Sequence, residues 1–188
     1  VEKILFNTRR LSALTGNILL LSKLSNQSIL PQKTQFRLDE QIRQAIVALE
    51  QKWSEKELGF EVELAETPFF GYESLLPHVW TNLIGNAVKF SPKGGEIRIK
   101  MMRTEGAVVF TIEDDGPGIV PGDEEHIFTK FYQSESSHGM EGNGLGLALV
   151  RQIVEMSGGS VDVQNLEAGG CRFTVRLPLE QEKGAAFS

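Results

Sequence analysis

Glu113-Asp114-Asp115-Gly116-Pro117-Gly118-Ile119 is the stretch that decides the reading of this chain. Ahead of it, Val108 to Glu113 alternates as a strand, and the strand runs into an acidic, glycine-bearing turn. A carboxylate placed there can accept a hydrogen bond from an exocyclic amine such as that of adenine. Gly116 and Gly118 carry no Cβ, so a flat ring can approach the backbone. Alone, the pattern also reads as a plain turn. Calcium is a weaker alternative, because the ligand spacing and closing glutamate of an EF-hand loop are missing.

Three further segments share this character. Downstream, Gly142-Asn143-Gly144-Leu145-Gly146-Leu147 opens a helix that continues to Met156. Its alternate glycines let backbone amides face an anion, and the helix N-terminus adds positive potential. It is neither the dinucleotide fingerprint nor a P-loop, since the glycine spacing differs and no Gly-Lys-Ser/Thr follows. Upstream, Asn82 to Phe90 lies on a predicted helix over Leu75 to Phe90, with Leu76, Val79, Leu83, Ala87 and Phe90 inward. Asn82, Asn86 and Lys89 or Phe90 then fall on neighbouring turns of one face. Amide oxygens are hard ligands suited to magnesium, although taken alone these residues read better as a solvated face. Between the two glycine-rich segments, Ile127-Phe128-Thr129-Lys130-Phe131-Tyr132 reads by itself as a satellite apolar cluster.

The rest of the chain supplies a frame. Residues 1 to about 27 read as a helix whose Ile4, Leu11, Leu14, Ile18 and Leu21 form a bundle or coiled-coil seam, widened by Leu20 and Leu24. Residues 28–34 read as a linker containing Pro31. Gln35 to Leu38 alternates as a short strand, Asp39 resembles an N-cap, and Ile42, Ala45, Ile46, Leu49 and Trp53 mark one helix. Phe60 to Ala65, Ile97 to Met102, Val108 to Glu113, Val161 to Gln164 and Phe173 to Leu177 read as strands, and residues 180–188 as a disordered tail. The expected fold is α+β: a two-layer α/β sandwich of one mixed sheet with helices on one face, over 35–179.

Composition excludes some functions. With a net charge of -6 the chain is not built to coat nucleic acid. Cys171 is the only cysteine, so no intrachain disulfide is possible. No apolar run is long enough to span a bilayer. Val1 in place of Met points to a piece of a longer protein.

The four segments, in order and type, resemble the N, G1, F and G2 boxes of the sensor histidine kinase family. That family shares the Bergerat-type ATP-binding fold with type II topoisomerases, Hsp90 chaperones and MutL proteins. Ser157 to Val161 and Phe173 to Pro178 look like the family's C-terminal strands, and Leu11 to Gln27 is similar to the second helix of its dimerisation and phosphotransfer domain. The resemblance implies ATP and Mg2+ as ligands. Asn86 would ligate magnesium with Asn82 beside it, Lys89 would contact phosphate, and Phe90 would border the pocket. Asp115 would read the adenine amine, with Gly118 and Ile119 against the base. Gly144, Leu145 and Gly146 would offer amides to the phosphates. Residues 120–142 would form a mobile lid anchored around Phe128 and Phe131. The implied partners are ATP or ADP, a second copy through a helical bundle, and a response-regulator receiver domain. The implied setting is the cytoplasmic part of a membrane-anchored kinase.

Two features depart from the family pattern. Gln133 follows Tyr132 where family members often carry arginine, so the resemblance does not extend to that cation at the γ-phosphate. None of the three histidines, His78, His126 and His138, sits in a phosphoacceptor motif, so the acceptor is expected upstream of Val1. The alternatives within the superfamily are an ATP-driven conformational switch, a serine kinase or anti-sigma-type module, and a degenerate binding module. The hydrolysing relatives place a glutamate base one helical turn before the magnesium asparagine. Here that position is Asn82, and an amide is a poor base. This favours phosphoryl transfer over water activation.

Overall fold

Strict alternation in three strands builds one wall of the core. Ile97, Ile99 and Met101 turn inward from β4 (Glu96–Arg103), and Val108, Phe110 and Ile112 from β5 (Ala107–Asp114). Cys171, Phe173, Val175 and Leu177 turn inward from β7 (Cys171–Pro178). The computed structural model describes residues 2–26, 31–133 and 142–180, with side chains throughout except at residues 2–7, 9 and 10. The five-stranded sheet runs β2-β4-β5-β7-β6, where β2 is Gly59–Leu64 and β6 is Ser160–Asn165. β2 lies parallel to β4 and every other pairing is antiparallel, so the sheet is mixed as expected.

Helices cover the inner face. α4 (Leu76–Phe90) packs on β5 through Trp80, whose ring lies 4.9 Å from that of Phe110. α5 (Gly146–Met156) lies beside α4 and contributes Leu149, Val150, Ile153 and Val154 to the same core. The opposite face is charged, with cross-strand pairs such as Lys100–Glu63 at 3.0 Å and Arg176–Asp162 at 2.9 Å. Burial of one alternating set and solvation of the other gives the two-layer α+β sandwich.

The structure departs from expectation in the first third. The helix expected through Trp53 is two, α2 (Leu38–Ala48) and α3 (Glu50–Glu55). At Leu49 the backbone N–H turns to the Ile46 carbonyl, and the bend lets Trp53 Nε1 donate to that same carbonyl at 3.0 Å. Asp39 is not an N-cap. It sits in the first turn of α2, fully enclosed, where it accepts the Thr67 N–H at 2.9 Å and pairs with Arg37 at 2.7 Å. A second sheet was not anticipated: β1 (Thr34–Arg37) pairs antiparallel with β3 (Pro68–Gly71). β2 lies at the sheet edge, and its alternating Phe60, Val62 and Leu64 are only partly covered or exposed.

α1 (Glu2–Ser25) is helical as expected, but its stripe divides. Leu21 and Leu24 are buried in the core of the domain and Leu14 and Leu20 lie against it, whereas Leu11 and Ile18 stay exposed. A helix expected to bury its whole stripe on a separate bundle therefore buries part of it on α5 and its neighbours. Ile4 lies outside the described side chains, and the linker residues 27–30, the segment 134–141 with His138, and the tail 181–188 lie outside the described residues. Among the described residues no helix is long and apolar enough to cross a membrane.

Candidate functional site

Where the C-terminal half of α4 and the N-terminus of α5 lean over the ends of β5 and β7, they leave a cavity of about 680 Å³. That lies within the range of about 300–1,000 Å³ common for small-molecule sites. Its two ends differ chemically.

One end is an enclosed carboxylate among apolar groups. Asp114 is the last inward residue of β5 and stands directly opposite Cys171 of β7. Its Oδ1 accepts the Gly116 N–H at 2.9 Å, and Cys171 Sγ–H donates to Oδ2 at 3.3 Å. Burial pushes the Asp114 carboxyl above the usual carboxylate range, against the opposing pull of those two donors. Burial, together with the neighbouring carboxylate, pushes the Cys171 thiol far up, so it stays protonated and serves as a donor. Phe173, Ile119 and Ile127 supply apolar wall. Gly118 and Ile119 are held at the rim by Asn165, which accepts the Ile119 N–H and donates to the Ile119 carbonyl, both at 2.7 Å.

Asp115, expected to face the ligand, does not line this cavity. The strand's period of two sends it to the opposite face from Asp114. There it accepts the Glu96 N–H at 2.9 Å and lies 3.7 Å from Arg98. The correction follows from the alternation of Val108, Phe110, Ile112 and Asp114, which was legible in the sequence.

The other end is polar. Asn82, Asn86 and Lys89 line it from α4, and Phe90 borders it beneath the Lys89 ammonium, 4.4 Å from the ring centroid. Asn82 donates to the His78 carbonyl at 2.7 Å, one turn back, which fixes its amide. The last turn of α4 is capped by Lys56, whose Nζ reaches the carbonyls of Val88, Lys89 and Ser91 at 2.8, 2.8 and 2.6 Å. A cation there satisfies orphan helix carbonyls and opposes the negative end of the dipole.

The glycine-rich turn closes this end. Gly144 has φ +67°, and a Cβ on it would lie 2.7 Å from the Phe131 carbonyl carbon, so only glycine fits without displacement. Gly146 packs directly on the Asn82 side chain, and any Cβ would overlap Asn82 Oδ1. Leu145, expected to offer its amide, spends it on Asn143 Oδ1 at 3.1 Å, and its side chain is a core residue. Phe131 also departs from expectation. It is 64% exposed with φ +65°, because its N–H bonds the Gly144 carbonyl at 2.8 Å and turns the ring outward. Tyr132 lines the cavity in its place, beside Gln133, which donates to the Gly142 carbonyl at 2.9 Å.

Cys171 and Phe173 were not among the expected site residues, although their inward phase on β7 carried the signal. Nor were Asn143, or Ala13 and Asn17 of α1, which line the cavity too. No cluster of three or more His, Cys, Asp or Glu capable of holding a metal exists among the described residues. The hard oxygen donors on α4 are the amides of Asn82 and Asn86. Chemically, the cavity offers an acceptor for an amine at one end. At the other it offers amides, an ammonium and a helix N-terminus suited to an anion.

The sequence and the fold of this chain recur in known proteins. Residues 71–181 match the model of the histidine kinase-, DNA gyrase B- and HSP90-like ATPases. The sensor protein kinase PmrB of Pseudomonas aeruginosa is 31% identical over 176 residues, 93% of this chain and 37% of PmrB. The chain thus spans little more than a third of that relative's length. Full-length ShkA in complex with AMPPNP superimposes with TM-score 0.80 at 26% identity, over 91% of this chain and 36% of that one. The histidine kinase ThkA in complex with the response regulator TrrA superimposes with TM-score 0.76 at 27% identity, over 94% of this chain and 50% of that one. The chain belongs to the histidine kinase-, DNA gyrase B- and HSP90-like ATPase family, on its sensor histidine kinase branch.

Proposed function

We propose that this chain is the catalytic part of a sensor histidine kinase. It holds ATP in the cavity between α4 and α5 and donates the γ-phosphoryl group to a histidine on an upstream helix, for relay to a response-regulator aspartate. The observation that carries the reading is the pairing of an enclosed carboxylate, Asp114, with an amide- and ammonium-lined opposite end inside one cavity. The adenine amine would donate to Asp114, with Gly118, Ile119 and Phe173 beside the base. The phosphates would lie toward Lys89, Asn82 and the turn before α5. The AMPPNP complex of ShkA supports an adenine nucleotide, and the ThkA–TrrA complex supports a response-regulator partner.

Magnesium fits the donor set. Among the described residues the polar end offers amides and no carboxylate cluster, which suits an ion that draws its remaining ligands from phosphates and water. Asn86 would hold it, with Asn82 lining the same site, and the ion would supply charge neutralisation at the phosphates. Asn86→Ala is expected to abolish the magnesium dependence of ATP binding while adenosine still binds. Equal enhancement by magnesium in mutant and wild type would place the ion elsewhere.

Phosphoryl transfer needs alignment and charge neutralisation more than protein covalent chemistry. What this chain's residues do is bind, orient and exclude water. Asn82, where hydrolysing relatives place a glutamate, provides no base for water. His78 is on the helix that lines the cavity and His126 opens the short 3-10 turn His126–Phe128, so neither approaches the cavity from outside. α1 would be the end of a dimerisation helix, its exposed Leu11 and Ile18 meeting a partner helix. Incubation with γ-labelled ATP and a separate polypeptide carrying an upstream acceptor helix tests the reading. Acid-labile label is expected on the added helix and not on this chain. Robust acid-labile label on this chain alone would overturn the assignment of the acceptor.

A further inference from the structure

α1 does more than connect. Ala13, Asn17, Leu20, Leu21 and Leu24 recur at helical spacing and share one face. Toward the C-terminus that face carries leucines, with Leu21 and Leu24 buried in the core and Leu20 packed against it. Toward the N-terminus, where the face reaches the cavity, it changes to a small residue and an amide. Ala13 and Asn17 both line the cavity that also holds Asn82 and Asn86. The Asn17 side chain has no hydrogen-bond partner among the described residues. α1 packs on α5, whose N-terminus forms the anion-suited end, while the carboxylate end belongs to β5 and β7.

Building on the nucleotide reading of the cavity, we propose that α1 is part of the phosphate end of the site. Asn17 donates its amide to the nucleotide's phosphate oxygens, and Ala13 leaves the space they occupy. A leucine at position 17 would continue the stripe and put apolar surface against the triphosphate. Asparagine keeps the helix face continuous and supplies a donor. Occupancy of the site by a triphosphate and docking of α1 on the domain are therefore linked, each favouring the other by the same factor.

Two substitutions on the intact chain test this, read by calorimetric titration with ATP, ADP and adenosine. Asn17→Ala removes one hydrogen bond to a charged group and is expected to weaken ATP about tenfold while leaving adenosine unchanged. Ala13→Asp adds a carboxylate on the same face. It is expected to weaken ATP more than ADP and ADP more than adenosine, with the loss shrinking in high salt. Wild-type ATP binding with unaltered ATP affinity in both variants would overturn the role of α1 and leave the cavity reading standing. Parallel losses for adenosine and ATP would overturn it too, by making the effect one of fold and not of phosphate contact. A folded wild-type chain that binds neither ligand would overturn the cavity reading and this proposal together.

Discussion

Asp114 carries a cost that its function explains. Its carboxyl is raised above the ordinary range by burial, so the folded chain loses stability as pH climbs from the ordinary carboxylate value to that raised value, and the full penalty stands above it. Below the ordinary carboxylate value the penalty is absent. Asp114→Asn removes the charge and keeps an oxygen for the Gly116 N–H. The folded chain is expected to hold or gain thermal stability while ATP affinity falls by about 1.5–3 kcal/mol, the range for one charge-assisted hydrogen bond. Asp115→Asn, on the other face, is expected to leave ATP affinity unchanged. Calorimetry and thermal unfolding on the two mutants separate these outcomes. An equal loss of ATP binding in both would count against the assignment. The distinction between the two aspartates was legible, because Val108, Phe110, Ile112 and Asp114 alternate inward without a break. The outward turn of Phe131 was not legible. It depends on a bond to the Gly144 carbonyl, 13 residues away in sequence, and on a positive φ that side-chain type does not announce.

Among the elements, α4 and α5 were readable because their apolar periods are long and their ends are marked by the Ser91–Gly95 turn and Gly158. The β1–β3 pair was only half readable: the alternation of Gln35 to Leu38 marks β1, but the four residues of β3 carry too little alternation to stand out. What ties that region together is Asp39. The Arg37 hydrogen bond, aided by the Thr67 N–H, lowers its pKa to about 2 against the cost of burial. Its folded value is depressed, so its contribution is complete above an ordinary aspartate pKa of about 3.9 and is lost as pH falls toward 2. Asp39→Asn is expected to cost up to about 2 kcal/mol near pH 7, an upper figure because Arg37 is partly solvated. The difference from wild type should shrink on acidification through that window, as chemical denaturation at several pH values would reveal. A constant difference across the window would contradict the ion-pair account. Lys56→Met uncaps α4 and is expected to cost about 1–2 kcal/mol, with ATP weakened because Lys89 and Phe90 sit in the turn that Lys56 holds. Unfolding curves and ATP titrations check both parts. Stability unchanged by the mutation would show that the cap contributes nothing.

For the whole molecule, the two-layer sandwich and the cavity follow from elements that read clearly, whereas the position of α1 did not. Its leucine stripe is broad enough to serve two surfaces. Sequence alone cannot divide Leu21 and Leu24, which join the domain core, from Leu11 and Ile18, which remain exposed. The exposed set is expected to drive weak self-association, reduced by Leu11→Glu combined with Ile18→Glu, since apolar side chains at helical spacing are left in water. Sedimentation of wild type and double mutant reads this directly, and a wild type that stays monomeric at high concentration would contradict it. The central claim is that the α4–α5 cavity holds ATP, and calorimetric titration of the intact chain with ATP, with and without magnesium, tests it most directly. The account predicts saturable binding of one ATP per chain, strengthened by magnesium; a folded chain that shows no saturable binding in either condition would contradict it.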